Sequence, residues 1–184
     1  DYWAAKAASK ELESGIYDRA IYSIYFFNIL KVNRGEGVFQ GAGIPHAYLE
    51  GQTMELMANS DNVLRGGLTP KHIDIPELLK NVVFEETHPK ILKGKLINDG
   101  TERVYKSIAP DFEISHIVLK ENQVLSSSCK AAEVFVLIEG NAKVTENQNI
   151  LELVRGDSFI VLADGEFNIT TSTGTSIYKA TTPN

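Results

Sequence analysis

The 184-residue chain carries 18 basic and 24 acidic side chains, a formal charge of −6, and 43% hydrophobic residues. That balance is ordinary for a globular protein, and without Lys/Arg runs it lacks the basic footprint of a nucleic-acid binder. The longest apolar run, Ile21–Leu30, is interrupted by Ser23 and Asn28 and falls far short of the ~20 residues that span a bilayer, so no membrane partner is expected.

Trp3–Glu13 is rich in Ala, Lys and Glu and ends at Ser14-Gly15, which predicts a helix closed by a glycine. Tyr17–Val32, dense in Ile, Tyr and Phe, reads as one or two strands buried on both faces. Asn33–Gly37 is a turn. Ala47–Met57 then alternates as a β-hairpin about Gly51-Gln52, a pair suited to a type II′ turn. That register places Tyr48 opposite Glu55 and His46 opposite Met57, so His46, Tyr48 and Glu55 converge on one sheet face. An imidazole, a phenol and a carboxylate on one face suit a site better than a packed core.

Asn59–Asn62 reads as a second turn and Val63–Arg65 as a short strand broken by Gly66-Gly67. Asp74 caps a short helix over Pro76–Asn81. Between Glu85 and Asp99 the composition shifts to Lys, Gly, Pro and Asn. The expected organisation is therefore a helical remnant (1–15), a first β unit (16–86) and a second β unit (87–184). In the second, short strands are expected at Arg103–Ser107, Ile114–Lys120, Glu133–Glu139, Ala142–Glu146, Ile150–Leu153, Ser158–Leu162, Phe167–Thr171 and Ser176–Ala180. This is the pattern of an all-β sandwich or jelly roll.

A weak internal repeat relates Gly35-Glu36, Gly41, Gly43 and His46 to Gly156-Asp157, Leu162, Asp164 and Phe167. Phe167 stands where His46 stands, and a phenyl ring cannot ligate a metal. The second unit is therefore expected to be metal-free and structural. Cys129 is the single cysteine, so no intrachain disulfide can form; a packed thiol in a reducing, cytoplasmic setting is expected. His72, His88 and His116 have no partners at ligand spacing and read as surface or satisfied histidines.

The glycine-to-histidine spacing that ends at His46 resembles the second motif of the cupin superfamily, with Gly41 in place of the usual proline. The longer blocks GAGIPHAYLEG and ELMANSDNVLRGGLTPKHID resemble the type I phosphomannose isomerases (mannose-6-phosphate isomerases) across roughly 28–79. The resemblance implies a cupin-type jelly roll: half of a catalytic cupin, then a metal-free cupin, with short helices. It implies interconversion of mannose 6-phosphate and fructose 6-phosphate with zinc as cofactor. The family binds zinc through a Gln and a His of one motif, a Glu of another and the histidine of PHAYL. Here only that last residue, His46, is present, because no Gln-x-His pair and no Asn-His-Lys-Pro-Glu block occurs. The chain, which starts at Asp1 without a methionine, is thus expected to be the C-terminal part of such an enzyme, inactive without the missing N-terminal part of the same polypeptide.

The resemblance also implies roles. Tyr48 and Glu55 would line the sugar pocket as catalytic groups, and Arg65 would serve catalysis and substrate binding at phosphate or enediolate oxygens. Lys71 would bind the substrate phosphate. Against this stand a carbohydrate-binding or regulatory double-β module that has lost catalysis, and a cupin of unrelated function.

Overall fold

In the computed structural model, residues 1–11, 15, 17–60 and 62–183 are described, the side chains of 10 and 11 apart. The chain divides into two units: one of 1–33, 38–53 and 59–91, the other of 34–37, 54–58 and 92–184.

The first unit is largely irregular. Helix α1 spans Tyr2–Glu11, and the end predicted for it at 12–14 lies outside the described residues. The strands expected over Tyr17–Val32 are not found. A 3₁₀ turn, Arg19–Tyr22, runs instead into a short helix, α2, over Ser23–Phe26, followed by irregular chain. The reason is local. The Asp18 side chain accepts the Ala20 N–H at 2.8 Å and nucleates a turn, while strand propensity acts only through partners and burial. Tyr22, Tyr25, Phe26 and Ile29 are all exposed. The short strand expected at Val63–Arg65 is likewise absent, whereas the third helix, α3 (Ile75–Asn81), forms as expected, Asp74 accepting the Glu77 N–H at 3.0 Å.

Two two-residue strands, β1 (Gly37–Val38) and β2 (Ile91–Leu92), form a small separate sheet. The remaining strands are β3 (Lys95–Ile97), β4 (Glu102–Tyr105), β5 (Glu113–Leu119), β6 (Val124–Ser128), β7 (Glu133–Glu146), β8 (Asn149–Val154), β9 (Ser158–Val161), β10 (Glu166–Thr170) and β11 (Thr175–Thr181). They build two antiparallel layers that share β7. Its first half lies between β11 and β9, and its second half between β10 and β8. One layer runs on through β5, β4 and β3, the other through β6. The two strands expected at 133–139 and 142–146 are therefore one, bent at Gly140, which has φ +79.

Alternate residues of these strands form the core: Ile117, Leu119, Leu125, Phe135, Leu137, Val144, Val161, Ile169 and Ile177 are each at most 4% exposed. Phe135 stacks on Phe159 with centroids 4.4 Å apart and meets Phe167 edge-on at 5.5 Å. Burying the Phe159 and Phe167 rings against Phe135 is worth several kcal/mol on the scale of about 25 cal/mol per Å².

The internal repeat has a matching backbone. Gly35 and Gly156 have φ of +82 and +98, and Gly43 and Asp164 have +74 and +65. The hydrogen bond from Ile44 N–H to the Gly41 carbonyl recurs as Gly165 N–H to the Leu162 carbonyl. The copies differ in the residue delivered by the second turn: Phe167 is buried in the core, and His46 is exposed.

Candidate functional site

The loop before His46 is held from both sides. Ile44 N–H closes the turn onto Gly41, and the Gly43 carbonyl accepts Val83 N–H at 2.9 Å just after α3. The Ile44 carbonyl lies 2.9 Å from Nδ1 of His46. A carbonyl can only accept, so in the neutral ring Nδ1 carries the proton and Nε2 is left as the lone-pair nitrogen. This is the arrangement by which proteins orient a metal-ligating imidazole. Tyr48, two residues on, falls on the same side, its ring edge-on to the imidazole at 6.2 Å.

The hairpin that was expected to add Glu55 to this pair is not formed. No strand is assigned between 46 and 57, and Glu55 is exposed within the 54–58 stretch, which groups with the other unit. An isolated hairpin is marginal without a buried face to set its register. Here Tyr48 is 60% and Met57 53% exposed, so neither arm has that support.

Arg65 is half-buried in irregular chain ahead of Gly66-Gly67. Asp61, which a rim ion pair with Arg65 would use, lies outside the described residues. Lys71 is exposed, its backbone N–H taken by the Thr69 hydroxyl at 3.2 Å. One residue near this turn escaped the sequence reading: the other Asp18 oxygen accepts Leu68 N–H at 2.6 Å.

The other histidines behave as the spacing suggested. His72 and His88 are exposed. His116 is buried, its Nε2 2.7 Å from the Ser176 hydroxyl and its ring stacked on Tyr178 at 4.4 Å. Burial pushes its pKa down, and Arg34 adds to the effect. Cys129 is 2% exposed. Burial, reinforced by the adjacent Glu133, pushes its thiol up to about 12, so it is no nucleophile.

The second unit also buries a charged group. Lys179 Nζ lies 2.8 Å from Glu102 Oε1 and 3.1 Å from Glu133 Oε1. The Ser115 hydroxyl and the Asn98 amide donate to Glu102 at 2.6 and 2.7 Å. Burial alone would lower the Lys179 pKa, but the two carboxylates outweigh it and the value is raised. Among the described residues Glu133 Oε2 is buried without a hydrogen-bond partner. The signal was in the alternation: Lys179 is in phase with Ile177, and Glu133 with Phe135 and Leu137.

Among the described residues no group of three or more His, Cys, Asp or Glu side chains could hold a metal ion. A zinc centre takes three or four protein ligands. His46 fits as one, and these residues do not by themselves make a complete centre.

No protein-family model matches the chain. Among curated proteins it is 40% identical to the mannose-6-phosphate isomerase of Escherichia coli over 147 residues, 80% of this chain and 37% of that protein. The Arabidopsis thaliana mannose-6-phosphate isomerase 2 is 35% identical, across 83% of this chain and 35% of its own length. The Homo sapiens enzyme is 33% identical, across 80% and 36%. Among solved structures, a lysine-to-alanine mutant of phosphomannose isomerase from Salmonella typhimurium superposes with a TM-score of 0.76 at 32% identity, covering 95% of this chain and 45% of that one. The chain thus spans a little over a third of the length of the curated relatives it matches. Over the stretch that it spans, this mostly β chain is a homologue of the mannose-6-phosphate isomerases and shares their fold.

Proposed function

We propose that this chain is the C-terminal part of a zinc-dependent aldose–ketose isomerase that interconverts mannose 6-phosphate and fructose 6-phosphate, working only together with an N-terminal part of the same polypeptide. The observation that carries the reading is the prepared imidazole of His46, with Nδ1 on the Ile44 carbonyl and Tyr48 beside it, within a stretch homologous to enzymes of that name.

In this proposal His46 is one of four zinc ligands, the others lying outside this chain. Zinc, when bound, would polarise substrate oxygens. Tyr48 orients a sugar hydroxyl, and Glu55 serves proton transfer between C1 and C2 when the complete sheet brings it to the same face. Arg65 stabilises anionic oxygen, on the phosphate or the enediolate, and Lys71 anchors the phosphate. The exposed aromatic and aliphatic side chains at 22–32 supply a surface for the N-terminal part, and the reducing setting proposed for the whole protein is the cytoplasm. No described helix is long and apolar enough to cross a membrane.

The incomplete ligand set favours one rival for the chain by itself, a carbohydrate-binding module without catalysis. Metal analysis separates the two. The isolated chain is expected to hold zinc at most weakly, and the full-length gene product one zinc per chain. In that product His46→Ala should remove zinc and isomerase activity together. Activity retained with a full metal complement would refute the ligand role of His46.

A further inference from the structure

The turn that follows Arg65 is held in an uncommon conformation by one carboxylate. Gly67 has φ +136 and Leu68 has φ +52, two successive residues in a region that side chains avoid, the second of them a leucine. A Cβ at Gly67 would overlap Ala20 Cβ and sit 3.3 Å from both Asp18 oxygens, so the glycine backbone lies flush against the 18–20 turn. Both oxygens of the Asp18 carboxylate accept backbone N–H groups of this turn pair. Oδ1 accepts Ala20 N–H at 2.8 Å and Oδ2 accepts Leu68 N–H at 2.6 Å. The strained leucine is therefore held by a charge-assisted hydrogen bond, and that bond reaches across some fifty positions of sequence. Backbone strain persists only where its surroundings over-determine it, and such places cluster at working sites. Three residues before Leu68 stands Arg65, half-buried, with only the two glycines between them.

We propose that Asp18 is the positioning residue for Arg65: by pinning Leu68 and seating Gly67 on Ala20, it fixes the backbone from which the guanidinium reaches anionic substrate oxygens. The proposal rests on the isomerase reading above, in which Arg65 contacts substrate. Asp18 itself touches no substrate. Without its clamp the diglycine is free to rotate, and the guanidinium loses its aim without losing its charge.

The test uses the full-length gene product, with purified mannose 6-phosphate as substrate. Asp18→Asn is isosteric but leaves an amide to serve two N–H donors with one oxygen, and it should lower kcat/KM about tenfold. Gly67→Ala attacks the same contact from the other side and should give the same loss, with the same split between kcat and KM. Circular dichroism and thermal melting establish that each variant is folded, and either one suffices. The deciding measurement is a double-mutant cycle with Arg65→Lys. If Asp18 acts through Arg65, Asp18→Asn costs little more once Arg65 has been replaced. A role confined to general structure would instead give full, additive losses, and additivity in folded variants overturns the proposal. So does wild-type kinetics for Asp18→Asn alongside a crippled Arg65→Ala. If Arg65→Ala itself leaves kcat and KM unchanged, the assignment of Arg65 falls first and the positioning role with it.

Discussion

Single side chains show how far environment overrides residue type. Cys129, the one thiol, sits in the Phe135–Phe167 core, where burial shifts its pKa from an ordinary 9.0 to about 12. The sign of the linkage follows: well below pH 9 both states keep the proton almost completely and stability is unaffected. As pH rises from 9 towards 12, the unfolded chain releases a proton that the folded chain retains, so stability falls through that window. At pH 8 the folded protein should therefore resist a thiol reagent, while the chain in denaturant should take up one equivalent. Rapid labelling of the native state would refute this burial. Lys179, Glu102 and Glu133 make the converse case, charges kept inside because they pair; breaking such a group leaves an uncompensated charge, which costs about 3–5 kcal/mol.

At the level of elements, what was legible in the sequence is what local physics decides. Alternation located β4, β5 and β8–β11 to within a residue or two, because each packs one face on a core contained in the chain. Strand β6, VLSSS, was missed, since three serines give no apolar stripe even though Leu125 is buried. The errors at 17–32, 46–57 and 63–65 share one cause: strand-like sequence becomes strand only with a hydrogen-bonded neighbour and a covered face. Of the proposed site, His46 and Tyr48 were readable together because they are two residues apart. The Asp18–Leu68 contact was not readable, because nothing in local sequence couples positions so far apart. Where an element bends, glycine is obligatory. At Gly140 the positive φ coincides with a methyl-excluding contact on the Gly174 carbonyl. Gly140→Ala must move one of the two layers, and it should cost at least about 2–3 kcal/mol in denaturant unfolding. A loss under 1 kcal/mol would show that the bend has room to relax.

For the molecule as a whole, the consequence of β7 is dynamic. One fourteen-residue strand contributes its first half to one layer and its second half to the other. Melting either layer strips partners from the same backbone, so the edges can fray but the centres have no separate route to solvent. In hydrogen–deuterium exchange under native conditions, the slowest amides of β11 and of β10 should share one opening free energy and one dependence on denaturant. Two distinct free energies would mean that the bend at residue 140 works as a joint.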